Sequence, residues 1–258
     1  MKNFIFNLYN QLPNGYLRSV IKNIVSFFLS RLSEVETISH DGVKFNVYAN
    51  PFISNSDIAS DLEGYNRNYR LHKNDIVVDA GAYNGLFAIY AALKVGLKGH
   101  VYAFEPDPYS ARMLSRNFHL NHLTNVTVIQ KGLFSKKARV KFDVQGVGSR
   151  LQIYNRNIPT INSVVVVDTL DNMLADLKVK QINFIKMDIE GAEVEALKGC
   201  ERTITYNRDI HFAIASYHIV HGKKTSHALE RIFRSFGLRP ETKNPPHLTT
   251  YADKYSSV

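Results

Sequence analysis

Cysteine is nearly absent from this chain, with Cys200 alone among 258 residues. One thiol cannot form an internal disulfide framework, so a reducing compartment is expected, and with it a cytoplasmic location. Long apolar runs are missing as well. The nearest, Ile24 to Leu29, is roughly a third of a bilayer span. The N-terminal stretch lacks a long apolar segment followed by a small-residue cleavage site, so no secretory signal is expected there. No repeat and no low-complexity segment interrupts the chain. The net charge of +9 is not gathered into a basic tail. Its densest stretch, Lys131, Lys136, Lys137, Arg139 and Lys141, does not alternate with aromatic stacking residues, which weakens a nucleic-acid reading. A solvated basic surface is the plainer account, with an anionic substrate, RNA or lipid headgroups left open.

What is present is a composition 45% hydrophobic and 21% charged, enough to build one sizeable core and too little chain for two full enzymes. Within residues 16–32, Leu17, Ile21, Ile24, Phe28 and Leu32 recur at helical spacing, with Arg18, Lys22 and Arg31 elsewhere. Packing of this amphipathic stretch on the domain or on a second subunit is favoured, which leaves a homodimer open. Peripheral contact with the inner face of a membrane is the alternative.

The first 35 residues read as helical, broken at Pro13-Asn14-Gly15. Residues 36–49 alternate about His40-Asp41-Gly42, as a β-hairpin would, and residues 55–70 read as a polar helix. Residues 1–70 are therefore expected to be an N-terminal extension, and residues 71–258 the main domain. That domain opens on Ile76-Val77-Val78, an apolar run suited to a buried parallel strand. Strands and helices then alternate. Asp107-Pro108 places an N-cap before a first-turn proline, and Val101–Phe104, Val126–Ile129, Ile182–Met187 and Ile210–Ala215 read as further strands. Helices are expected over Gly191–Leu197 and 226–236. Residues 132–168 break the alternation and read as an inserted hairpin or arm. Repeated βα units predict an α/β fold with a mostly parallel sheet covered by helices on both faces.

In such sheets a ligand lies beyond the carboxyl ends of the strands. Three motifs fall there. The first is Asp79-Ala80-Gly81-Ala82-Tyr83-Asn84-Gly85, a strand–turn–helix with glycines for a tight turn and close backbone approach. Position 83 carries Tyr, whereas a dinucleotide fingerprint needs Gly there, which argues against a bound pyrophosphate and so against an NAD enzyme. Phe104-Glu105-Pro106 ends the next strand, and its carboxylate is suited to a ribose diol. Lys186-Met187-Asp188-Ile189-Glu190-Gly191-Ala192-Glu193 sets three carboxylates at a strand end and helix start. Helix-dipole compensation accounts for Glu190 and Glu193 but less well for Asp188.

These motifs in this order, together with Val167-Asp168-Thr169-Leu170-Asp171 and Ala196-Leu197-Lys198-Gly199, resemble the FkbM family of methyltransferases over roughly residues 74–220. The resemblance implies a Rossmann-like class I methyltransferase sheet of seven strands, six parallel and one antiparallel near the C-terminus. It implies S-adenosylmethionine as cofactor and S-adenosylhomocysteine as product. The expected acceptor is a hydroxyl on a sugar, glycan or small metabolite. Asp79, Gly81, Ala82, Asn84 and Gly85 would then meet the cofactor in the turn. Glu105 and Pro106 would meet it at the ribose, Gln130 and Lys131 at the adenine edge, and Asp188 on the reacting side.

Methyl transfer to a hydroxyl needs alignment and removal of one proton. Asp188 and His218 are the candidate acceptors, since His218 follows a strand bordering the same crevice. Tyr217 is either a substrate contact or core. A divalent cation held by Asp188, Glu190 or Glu193, and His218 is conceivable but not favoured, because their spacing fits no compact metal motif, and no metal ligands are assigned. An RNA methyltransferase and a non-catalytic cofactor-binding module stay open as alternatives.

Overall fold

The computed structural model describes residues 35–48, 55–144, 150–151, 161–244 and 246–254. The helical reading of the first 35 residues, and the amphipathic stretch 16–32, lie outside the described residues.

The chain opens with an antiparallel hairpin, β1 (Val35–His40) and β2 (Val43–Tyr48), turned at Asp41-Gly42 as the alternation predicts. Helix α1 (Asn55–Tyr65) follows. The strands of the central sheet are β3 (Ile76–Ala80), β4 (His100–Phe104), β5 (Val126–Ile129), β10 (Phe184–Met187), β11 (His211–Ala215), β14 (Leu238–Lys243) and β15 (Thr249–Lys254), with a short antiparallel hairpin, β12 (Ile219–Val220) and β13 (Lys223–Lys224), outside it. Their order is β14-β15-β11-β10-β3-β4-β5. The pairings β11–β10, β10–β3, β3–β4 and β4–β5 are parallel, and β15 alone runs against its neighbours. This is the Rossmann-like sheet expected for a class I methyltransferase.

The order reverses at β3, with β10 on one side and β4 on the other. A crevice opens at such a switch point because the connections leave on opposite faces. Val77 and Val78 are both wholly buried yet join different apolar clusters, as successive strand residues facing opposite sides of a sheet must. On one face, Val77 meets α2 (Leu86–Val95), which is apolar almost all round, with Phe87, Ile89, Tyr90, Ala91 and Val95 buried. That helix is sandwiched, since Phe45 and Val47 of the hairpin and Leu62 of α1 belong to the same cluster. On the other face, Val78, Ile185 and Ile214 pack with Leu170, Leu229 and Phe233, from α4 (Leu170–Asp176) and α7 (Ser226–Ser235).

Asparagines fasten the hairpin to α3 (Pro108–Leu120). The backbone N–H of Tyr48 donates to Asn117 Oδ1 at 2.9 Å and that of Asn46 to Asn121 Oδ1 at 2.8 Å. Side-chain amides thus satisfy edge-strand donors that would otherwise be open. Asn117 also donates to the carbonyl of Asn84 at 2.8 Å, linking the hairpin to the glycine turn. At the start of α3, Asp107 accepts from the N–H groups of Tyr109 and Ser110, with Pro108 in the first turn.

Between residues 132 and 168 the chain leaves the main sheet and builds a second one of four strands. In it β7 (Ala138–Val144) pairs antiparallel with β9 (Ile161–Asp168), flanked by β6 (Gly132–Leu133) and β8 (Arg150–Leu151). Phe142, Val165 and Val167 give it a small core of its own. Helices α5 (Glu193–Lys198) and α6 (Glu201–Tyr206) complete the described helices. The sequence places a helix from Gly191, but it begins at Glu193. Glu190 and Gly191 take left-handed backbone angles of 57° and 100°, so the stretch after β10 is a loop. No helix among the described residues is long and apolar enough to cross a membrane.

Candidate active site

The carboxyl ends of β3, β4 and β10 converge on one cavity. Gly81, Ala82, Asn84, Glu105, Pro106, Lys131 and Asp188 all line it. Its walls are largely apolar, with Phe104, Leu133, Phe142 and Ile189 among them. Leu133 and Phe142 come from the second sheet, so the inserted segment contributes one wall.

Gly81 explains why this turn needs glycine. Its φ is +77°, and a Cβ there would lie 1.8 Å from the backbone oxygen of Asp188. No side chain fits, because the loops after β3 and β10 touch at this point. Gly85 does not line the cavity. It lets α2 approach α3, since a Cβ would fall 2.5 Å from Leu114 Cδ1.

Asp79, expected from sequence to meet the cofactor directly or through water, does not line the cavity. Its carboxylate is wholly buried and 3.0 Å from the Lys186 ammonium, which itself donates to the Gly81 carbonyl at 2.9 Å. Asp79 and Lys186 are register partners on adjacent strands, so their side chains meet across the sheet. Burial raises the carboxyl's pKa, and the ammonium opposes that rise. The pair braces the turn from beneath. Lys186 itself lines the cavity, a role that sequence reasoning did not assign. A signal was there: a lone lysine inside the buried strand Phe184-Ile185-Lys186-Met187 requires a partner.

Glu105 is 6% exposed. Its Oε2 accepts from the Tyr83 N–H at 2.8 Å and its Oε1 from the Asp107 N–H at 2.9 Å. Each oxygen keeps a free lone pair. Burial pushes its carboxyl up to about 7, the two backbone N–H groups opposing the shift. Gln130 does not line the cavity, contrary to its expected place at the adenine edge. The Lys131 N–H bonds back to the Ile129 carbonyl at 2.8 Å. This tight three-residue turn leaves Gln130 exposed at its apex, while Lys131 returns to the cavity.

At the far rim, Asp188 gathers aromatic hydroxyls. Tyr65, at the end of α1, donates to its Oδ2 at 2.8 Å, and Tyr217 lies 3.4 Å from the same oxygen. His247 Nε2 is 3.1 Å from the Tyr65 hydroxyl, and its Nδ1 is 3.5 Å from Asp61. Tyr65 carried no signal in the sequence, because its site partners Asp188 and His247 lie 123 and 182 positions away.

His218 faces three carboxylates. Its Nε2 is 3.6 Å from Asp188 Oδ1 and 3.4 Å from Glu190 Oε2, and its Nδ1 is 3.0 Å from Glu193 Oε1. Burial alone would lower the pKa of this imidazole. The facing carboxylates of Glu190, Glu193 and Asp188 outweigh it and hold the ring up to about 10. The ring therefore favours its protonated form, which bears against the proton-acceptor role expected of it from sequence. Glu193 is wholly buried, and its Oε1 accepts from the N–H groups of Ile189 at 3.0 Å and Gly191 at 3.1 Å. It therefore shapes the loop that presents Asp188 and Glu190, a more specific duty than helix-dipole compensation.

Comparison with known proteins agrees with this architecture. The chain is 29% identical over 162 residues to "Methyltransferase sdnD" of Sordaria araneosa, covering 51% of this chain and 62% of that protein. It is 26% identical over 148 residues to "Hexuronic acid methyltransferase AglP" of Haloferax volcanii, covering 57% of each. It thus spans about three fifths of the curated relatives it matches. Among solved structures, Aeropyrum pernix fibrillarin in complex with S-adenosyl-L-methionine superposes with a TM-score of 0.51 at 14% identity, over 84% of this chain and 82% of that one. The Precorrin-6y C5,15-methyltransferase of Geobacter metallireducens superposes with a TM-score of 0.50, also at 14% identity, over 82% and 94%. These structures share the fold. The Methyltransferase FkbM domain model matches residues 79–239, from the glycine turn to β14, and the chain belongs to that family.

Proposed function

We propose that this chain transfers a methyl group from S-adenosylmethionine to a hydroxyl of a sugar, glycan or small metabolite. The observation that carries the reading is the union of three elements in one cavity: the Gly81 turn, the buried Glu105 carboxylate and the Asp188 rim.

The donor fits the residues present. Glu105 offers two lone pairs at a strand end, as a ribose diol requires. Gly81 allows ligand and backbone to approach closely, and the apolar wall of Leu133 and Phe142 suits a flat purine. S-adenosylmethionine supplies an electrophilic methyl on a sulfonium, so the leaving group is already activated. The chain's own part is to hold the acceptor hydroxyl in line and take its proton.

Asp188 is the proposed proton acceptor. Tyr65 fixes its orientation through Oδ2. With the methyl donor bound, the Asp188 carboxylate would take the proton that the acceptor hydroxyl gives up on methylation. Similarity to the Haloferax hexuronic acid methyltransferase supports a sugar-type acceptor, and the net charge of +9 suits an anionic one.

Titration calorimetry with S-adenosylhomocysteine and, separately, with NAD tests the donor. Saturable heat with the first and none with the second is expected. Absence of heat with S-adenosylhomocysteine refutes the reading.

A further inference from the structure

We infer that Asp188, Glu190 and His218 form a binding site for one divalent metal ion at the acceptor side of the cavity. Separated in sequence, the three offer no metal motif. The left-handed turn at Glu190-Gly191 brings them together, and one donor atom from each lies within 4.8 Å of the other two.

Three observations carry the inference. The first is spacing. Two donors about 2.1 Å from one ion sit about 3.0 Å apart at right angles and about 3.4 Å apart at the tetrahedral angle. His218 Nε2 stands 3.4 Å from Glu190 Oε2 and 3.6 Å from Asp188 Oδ1, too far for good hydrogen bonds and close to the separation of co-ligands. The second is an unsatisfied donor. The His218 side chain is nine-tenths buried, and its Nε2, aimed between the two carboxylates, makes no hydrogen bond. The third is the backing of the ring. Nδ1 faces the wholly buried Glu193 at 3.0 Å. Metal-bound histidines are oriented in this way, with the far nitrogen held by a carboxylate.

Charge points the same way. Three carboxylates converge on a single imidazole, and Lys186, which lines the same cavity, is engaged by Asp79 and Gly81. A divalent ion there would offset this negative charge. Two carboxylates and one imidazole suit a first-row ion such as manganese. An ion here would also lie beside Asp188, where it could bind the acceptor oxygen and ease loss of its proton. That role rests on the methyl-transfer reading, whereas binding of the ion does not.

The test uses the full chain, stripped with chelator and titrated with Mn2+ alone, followed by calorimetry and electron spin-echo spectroscopy. One bound ion per chain is expected, with modulation from a single histidine nitrogen. Glu190→Gln, a partly exposed position, should weaken binding at least tenfold with an unchanged circular dichroism spectrum. Asp209→Asn, remote and exposed, should not weaken it. No saturable binding at millimolar Mn2+, binding without nitrogen coupling, or undiminished binding by Glu190→Gln would each overturn the inference. S-adenosylhomocysteine titrated into the same samples separates the two claims. Its binding without manganese leaves the donor reading standing and removes the metal site, and manganese binding alone does the reverse.

Discussion

Lys186→Met is the substitution that best separates a structural Asp79 from a ligand-contacting one. It keeps the stem's volume and strips the counter-ion from a carboxylate with no exposed surface. Leaving one partner of a buried pair uncompensated costs about 3–5 kcal/mol. The lost bond to the Gly81 carbonyl belongs to the same network, so about 3 kcal/mol is a safe floor. Asp79 can escape only by staying protonated. With its folded pKa raised far above the unfolded value, the variant keeps its stability at low pH and loses it as pH rises. The slope approaches about 1.4 kcal/mol per pH unit while the folded state alone holds the proton. Urea unfolding at pH 5, 6.5 and 8 reads this directly. Asp79→Asn combined with Lys186→Met should remove the slope and recover about 2 kcal/mol relative to the sum of the single changes. A loss below about 1 kcal/mol for Lys186→Met, or strict additivity in the double variant, would mean that the two groups are not coupled.

Two further predictions concern the turn and the ribose site. Glu105, with its pKa pushed up to about 7, should bind S-adenosylhomocysteine best as a carboxylate, so calorimetric affinity falls as pH drops from 8 to 6. Glu105→Gln should bind at least tenfold more weakly and show no such dependence; an unchanged pH profile in the variant would refute the assignment. The same shift makes the ligand-free protein less stable as pH rises from 4.5 through about 7, by up to about 3 kcal/mol. Gly81→Ala places a methyl 1.8 Å from the Asp188 backbone oxygen at a φ of +77°. It should lower stability by about 2–3 kcal/mol and abolish detectable S-adenosylhomocysteine binding, and a fully binding, fully stable variant would show that the two loops can separate.

Much of this protein was legible from local pattern. Short, mostly apolar stretches marked β3, β4, β5, β10 and β11, because a strand covered on both faces cannot carry many polar side chains. Asp107-Pro108 announced the start of α3 through its own backbone chemistry. Glycines at 81 and 85, Glu105 and Asp188 identified the ends of three strands as one site, since βα alternation alone puts those ends on the same edge. What sequence could not fix was which way each side chain turned and what met it. Asp79 looked like a ligand until register placed Lys186 beside it. Gln130 and Lys131 looked equivalent until a three-residue turn separated them. His218 looked like a base until three carboxylates closed around it. Tyr65 entered the site only because α1 packs on the sheet. Residue type and spacing determined the fold, the family and the edge where chemistry sits. The proton inventory of that edge, and the grouping of Asp188, Glu190 and His218, were decided by tertiary structure, because a charge's behaviour depends on burial and neighbours that lie far apart along the chain.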